Sequence, residues 1–266
     1  MEEFLRLFGV AKPIIAMAHL PPLPGSPLYD AGARMERIIE AVGADVNALQ
    51  SGGVDALMFG NEGDRPYLTR AEPASLTAMA VAIAEVRHRV TVPFGVNYLW
   101  DPLASIALAH ATGASFVREV FTGAYDSDMG LWEPDAASAL RLKAALGERC
   151  LLFYNINAEF AAPLGRRSLA ARARSAVFAS LADAICVSGP MTGQAVDLAD
   201  LLEVKEALPD TPVIANTGVR SENVEAILAV ADAAIVGTSL KRDGVTWNPV
   251  DRDRVERFME RVATLR

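Results

Sequence analysis

Short apolar runs alternate with helix-period stretches along the whole chain. The runs fall at 14–20, 56–61, 94–100, 115–120, 151–157, 184–189, 212–218 and 232–238, and most end in small or polar residues. Buried parallel strands that open into loops have this character. Between the runs the apolar positions move to helical spacing. In 73–90, Leu76, Met79, Ala80, Ile83 and Val86 share one face, and Pro73 suits the first helical position. The stretches 102–112 and 134–146 also begin with proline after an acidic residue, and 197–208 carries Leu198, Leu201, Leu202 and Leu208 on one stripe. Alternating strands and helices predict a parallel sheet. Eight such units in 266 residues predict an α/β fold, a closed (β/α)8 TIM barrel forming a single domain over residues 1–266. The opening EEFLRLFG reads as a short amphipathic N-terminal helix that plugs the barrel. No GxGxxG follows the first run, so an open dinucleotide-binding sheet is the weaker choice.

The last two strands organise the functional reading. PVIANTGVRSENVEAILAVADAAIVGTSLKRDG is a strand, a helix with Ser221 as N-cap, and a second strand. Both strands end in residues that expose backbone N–H groups. In a closed barrel the loops after strands seven and eight commonly hold a phosphate. Asn216, Thr217, Gly218, Gly237, Thr238 and Ser239 are therefore the candidate phosphate-binding residues, and the expected partner is a phosphorylated small molecule. Two loops exceed what connection needs, 21–32 and 121–133. Both follow strands on the catalytic face and read as lids, with a stiff structural cover as the alternative for the proline-rich 21–32.

Composition narrows the remainder. The 52 % hydrophobic share supports a large core, and no apolar run approaches a membrane span. A net charge of −8 argues against sequence-independent nucleic-acid binding. The N-terminus lacks a signal-peptide pattern, and Cys150 and Cys186 read as buried free thiols of a reducing cytosol, so a cytoplasmic protein is expected. Oligomeric state stays open, a homo-oligomer included.

Several segments together resemble the BtpA family, its SgcQ branch included: HLPPLPGSPLYD, GNEGDRPY, TGAYDSDMG, VSGPMTG, ANTGVRSENV and IVGTSLKRDG, in this order over nearly the whole chain. The resemblance implies a TIM barrel. One branch of that family is associated with photosystem I biogenesis, and others look like sugar-metabolism proteins. The chain departs from the family pattern after the third strand, where it reads Tyr98-Leu99-Trp100-Asp101-Pro102. It departs again around the fifth, where Asn155-Ile156-Asn157-Ala158-Glu159 stands in place of a Lys-His pair.

Catalytic groups of a barrel gather at strand C-termini. His19, Glu62, Asp64, Arg118, Asp128 and Asn155 are the candidate catalytic residues, with Asn61, Asn97, Asp101, Glu119, Asp126, Asn157, Glu159 and Ser188 nearby in the pattern. Acids, amides and an imidazole at one mouth suit proton transfer near a carbonyl or glycosidic carbon. Adjacent strand ends predict a His19–Glu62 pair with a raised histidine pKa. The alternative is that His19 only anchors the proline-rich loop. Arg118 and Glu119 point to opposite faces of a regular strand, so one faces the barrel. Arg166, Arg167, Arg172 and Arg174 read as a solvated helix face. No lysine ends a strand facing the barrel, with Lys241 just past the last one, so a Schiff-base aldolase is disfavoured. No tight zinc pattern is present in the sequence, and Mg²⁺ held by a carboxylate and ligand phosphate stays compatible. The sequence thus reads as an enzyme using acid–base chemistry on a sugar or nucleoside phosphate, with isomerase, lyase and glycosidic-bond cleavage open. The alternative is a non-catalytic assembly or regulatory factor.

Overall fold

The computed structural model describes residues 1–32 and 34–266. In chain order the strands are β1 (Ile14–His19), β2 (Ala56–Gly60), β3 (Phe94–Asn97), β4 (Phe116–Glu119), β5 (Tyr125–Ser127), β6 (Gly130–Trp132), β7 (Leu151–Asn155), β8 (Ala161–Pro163), β9 (Ala184–Val187), β10 (Val213–Ala215) and β11 (Ala233–Val236). Eight of them close a parallel barrel in the order β1-β11-β10-β9-β7-β4-β3-β2. These are the eight expected runs, each trimmed where its C-terminal residues turn into loop. The helices are α1 (Glu2–Phe8), α2 (Arg34–Ser51), α3 (Pro73–Val86), α4 (Pro102–Thr112), α5 (Ala136–Ala145), α6 (Leu169–Ser180), α7 (Leu198–Ala207), α8 (Val224–Val230) and α9 (Arg252–Ala263). No helix among the described residues is long and apolar enough to cross a membrane.

Period-two alternation sorts the strand side chains. Ile14, Ala16 and Ala18 join the large core between barrel and helices, whereas Ile15 and Met17 point inward. The inner layers are completed by Ala56, Met58, Phe116, Phe153, Cys186, Ile214 and Ile235. Cys150 and Cys186 are both buried free thiols. A Cβ on Gly95 would lie 2.2 Å from the Phe116 ring, so this strand position has to be glycine for the ring to fill the interior. Continuing the same parity upward gives the polar or glycine rim: His19, Gly60, Asn97, Arg118, Asn155, Ser188, Asn216 and Gly237. His19, Gly60 and Asn97 stand in register across three neighbouring strands.

At the opposite end, α1 is the plug that its amphipathic pattern suggests. Phe4 and Phe8 are buried and turn toward the barrel floor, where Phe8 meets Phe116 at 5.8 Å and Phe4 meets Phe153 at 5.7 Å. Phe116 and Phe153 stack at 4.9 Å.

One local expectation changes. Ser221 is not the N-cap of α8, which begins at Val224 after Asn223. The Asn223 side chain turns back instead, donating to the Gly218 carbonyl at 3.0 Å and accepting from the Arg220 N–H at 2.8 Å, and so fastens the loop. The 121–133 loop carries regular structure of its own. Its β5–β6 hairpin pairs with β8 into a three-stranded antiparallel sheet, with Tyr125 and Trp132 buried against Trp100.

Phe153→Ala removes a ring that stacks on one aromatic and touches the plug. Such a truncation costs about 3–5 kcal/mol, read as a lowered urea midpoint. A loss below about 1 kcal/mol would show that the plug repacks into the space.

Candidate active site

The rim encloses a cavity of about 450 Å³. Its polar centre is Glu159, four residues after the end of β7. One carboxylate oxygen accepts from Arg118 at 2.6 Å and from Asn216 Nδ2 at 3.0 Å, and the other accepts from Asn155 Nδ2 at 2.8 Å. Arg118 also donates to Asn97 Oδ1 at 3.0 Å, and Asn97 Nδ2 donates to Glu119 at 2.6 Å. Ser188 links Asn155 and Asn216 through hydrogen bonds of 3.1 and 2.6 Å. The C-terminal ends of five strands, β3, β4, β7, β9 and β10, are thereby tied together above the apolar layers. Arg118 is the inward member of its pair, as parity requires, and lines the cavity. Burial opposes its charge, but Glu159 and the other acidic neighbours outweigh burial and hold its pKa above the usual guanidinium value.

Glu62 and His19 both line the cavity. Glu62 is buried and accepts from Thr192 Oγ1 at 3.2 Å. Burial pushes its pKa up to about 7, with Arg118 opposing the shift and Glu159 adding to it. Glu119, also buried, is pushed up to about 8 chiefly by burial, against the pull of Arg118. Among the described residues no hydrogen bond or ion pair joins His19 to Glu62. The expected raised histidine pKa is corrected accordingly. Burial first and the Lys241 charge second drive it well below the ordinary value, with the Thr246 backbone opposing. His19 packs instead toward Gly237, where a Cβ would lie 3.1 Å from its Cε1, and its buried Nδ1 has no partner.

The β10–β11 side brings Asn216, Thr217, Gly218, Gly237, Thr238 and Ser239 to one wall of this cavity. Gly218 has φ 63, and a Cβ there would lie 2.2 Å from the Ala195 nitrogen, so its loop and the one after β9 cross backbone to backbone. Thr217 Oγ1 accepts from Gly189 N–H at 2.5 Å and so keeps its own proton free to donate. Thr238 pairs with Thr246 at 2.8 Å, and Ser239 donates to the Val219 carbonyl at 2.7 Å. Arg220, Arg254 and Arg257 line the same end. Sequence reasoning did not pick out these arginines. The signal was there for two of them: Arg254 and Arg257 are three apart on the helix that follows the last strand, hence on one face near the mouth.

Three of the candidate catalytic residues stand elsewhere. Asp64 is turned behind the cavity, accepting from Leu23 N–H at 2.7 Å, Ser75 at 2.7 Å and Asn61 at 3.2 Å, and fixes the proline-rich loop to α3. Asp128 is exposed on the β5–β6 turn. Asn155 is buried beneath Glu159, which it orients. Lys241 is buried and bonded to Asp45 at 2.6 Å. Of the four arginines after the fifth barrel strand, Arg172 bonds the Ile156 carbonyl at 2.9 Å, and Arg167 bonds Ser175 at 3.2 Å. Among the described residues no group of three or more His, Cys, Asp or Glu side chains could hold a metal ion.

The raised carboxyls set a pH dependence. Glu62 titrates at about 7 in the fold against 4.5 ordinarily, so the folded state keeps a proton that the unfolded chain releases. That stabilisation is complete below pH 4.5 and is lost as pH rises through 7. Urea midpoints of the wild type should fall over this window, and Glu62→Gln, which stays neutral, should flatten part of the fall. An identical pH profile in the variant would show that Glu62 ionises freely in the fold.

The comparisons agree with this architecture. The chain is 47 % identical over 267 residues to the sgc region protein SgcQ of Escherichia coli (strain K12), covering 100 % of both chains. It is 32 % identical to the photosystem I biogenesis protein BtpA of Synechocystis sp., over 98 % of this chain and 91 % of that one. Among solved structures, the (S)-3-O-geranylgeranylglyceryl phosphate synthase of Thermoplasma acidophilum, in complex with sn-glycerol-1-phosphate, superposes with a TM-score of 0.62 at 16 % identity, covering 98 % and 97 % of the two chains. That likeness extends to the fold. With the BtpA family model matching residues 10–264, the chain belongs to the BtpA family.

Proposed function

We propose that this protein binds a phosphorylated small molecule, a sugar or nucleoside phosphate, in the rim cavity and acts on it by acid–base chemistry. The observation that carries the reading is continuity: one cavity joins the β10–β11 wall to Glu62, His19 and Arg118. The phosphate end is Thr217, Gly218, Gly237, Thr238 and Ser239 with Asn216 at its base, and Arg220, Arg254 and Arg257 supply local positive charge on an overall acidic chain. The presence of sn-glycerol-1-phosphate in the barrel neighbour's complex supports an anion of this kind.

Glu62 is the acid–base group in this reading. A carboxyl titrating at about 7 is divided between acid and base forms near neutral pH, which suits proton transfer in both directions. Neutral His19 contributes a hydrogen bond and no charge. Arg118, held charged by Glu159, stabilises negative charge that develops on the ligand. Mg²⁺ would enter with the ligand phosphate and a carboxylate, without a protein cage. Two buried free thiols suit a reducing cytoplasm. A second reading, a non-catalytic assembly factor, draws on the similarity to the photosystem I biogenesis protein and on the closed hydrogen bonding of Glu159.

A thermal-shift panel of sugar and nucleoside phosphates beside their dephosphorylated counterparts tests the binding. A ligand at 100 times its Kd stabilises by about 2.7 kcal/mol. Phosphorylated members alone should raise the melting temperature, and Gly237→Val, whose Cβ would press on His19, should lose the response while staying folded. Equal responses with and without phosphate would overturn the assignment. For a ligand that is turned over, Glu62→Gln should lower kcat about 10²-fold or more, and an undiminished rate would support the second reading.

A further inference from the structure

The cavity has two chemically unlike ends. Opposite the phosphate wall, Tyr67, Leu99, Trp100 and Phe160 line it. In the closed strand order β3 is four steps from β10 in either direction, so Leu99 and Trp100 face Thr217 and Gly218 across the barrel mouth. The three rings form a wall: Trp100 lies 6.1 Å from Tyr67 and 6.5 Å from Phe160, and Tyr67 and Phe160 are 6.3 Å apart. Trp132 supports Trp100 from behind at 5.1 Å, edge to face.

Phe160 is set there by an uncommon backbone. Its φ is 57, in the left-handed region that a bulky residue rarely occupies. Its N–H donates to the Pro190 carbonyl and its own carbonyl accepts from Asp128 N–H, both at 3.1 Å. The turn directly follows Glu159, so the polar centre and the aromatic wall are fixed by consecutive residues.

Building on the phosphate-site reading above, we infer that the ligand is a phosphate ester carrying a planar unsaturated ring, of the nucleoside 5′-monophosphate type. The phosphate lies at the β10–β11 wall, and the base lies against the half-buried Tyr67 and Phe160, which the buried Trp100 backs edge-on. Planar rings stack on aromatic side chains with little dependence on base identity. Between the two ends the lining is polar, with Glu62, Asn97, Arg118 and Glu159. A hydroxylated linker such as ribose can hydrogen-bond this belt. An alkyl chain would cover the same groups without giving them partners.

Calorimetry with adenosine and uridine 5′-monophosphate, ribose 5-phosphate and n-hexyl phosphate tests the inference. Both nucleotides should bind the wild type about tenfold or more tightly than ribose 5-phosphate. Phe160→Leu, which keeps an apolar side chain on the same backbone, should erase that difference and leave ribose 5-phosphate affinity within about twofold. Tyr67→Leu should act likewise, which covers the case of Phe160→Leu failing to fold. Ribose 5-phosphate binding as tightly as the nucleotides would overturn this inference and leave the phosphate site standing. So would n-hexyl phosphate matching the nucleotides, or a Phe160→Leu loss shared equally by every ligand. No binding by any of the four would overturn both readings.

Discussion

A closed parallel barrel turns one residue in two toward its axis, and that constraint decides where polar chemistry can sit. Below the rim the inward residues meet one another in a dry interior, so they are apolar or absent: Met17, Met58, Gly95, Phe116, Phe153, Cys186, Ile214 and Ile235. One step higher the same parity delivers His19, Asn97, Arg118, Asn155, Ser188 and Asn216. All of these but His19 hydrogen-bond within the set or to Glu159. The Arg118–Glu159 pair is the centre of that set, with both side chains nearly inaccessible. A buried ion pair gains little over apolar residues of equal volume, but removing one partner strands the other charge. Amides from three strands bond the pair, leaving Arg118 Nε buried without a partner, and this is how the charge is kept so close to the hydrophobic layers.

The electrostatics of the cavity follow from the same burial. Desolvation works against every charge there, and the outcome differs by partner. Arg118 has a carboxylate and an amide in contact and stays charged. Glu62 has one hydroxyl and a more distant guanidinium, and its proton is retained to about 7. His19 has a buried ring nitrogen without a partner and a cation near it, and it stays neutral. Three titratable groups at one mouth thus hold three different protonation states near neutral pH.

The barrel was legible in the sequence because its signal is repeated and local: eight apolar runs, each bounded by turn residues. Strand ends were legible as well, and so were the glycines that close the last two strands. Side-chain direction past the strand end was not. Glu62 and Asp64 belong to one short loop, yet one turns into the cavity and the other behind it to Leu23 and Ser75. Neighbouring strands brought His19 and Glu62 to one cavity without a hydrogen bond between them, and Thr192 from a distant loop bonds one oxygen of the carboxylate instead. The small antiparallel sheet escaped notice because its three-residue strands are too short for alternation to show. Arg254 and Arg257 approach the anion wall from a helix, where strand-end reasoning does not look.

The aromatic plug has a consequence for traffic. With Phe4 and Phe8 closing the floor against Phe116 and Phe153, the space above them is a vessel with its bottom sealed. Whatever occupies it must leave past the same loops by which it came. Departure of one molecule and arrival of the next are then successive events at a shared doorway, lined by Tyr67, Phe160, Thr192 and Arg220 from four different loops. Arg65 lies over the Trp247 ring at 3.5 Å. Any occupant of the cavity therefore has a single route, and entry and exit compete for the mouth of the barrel.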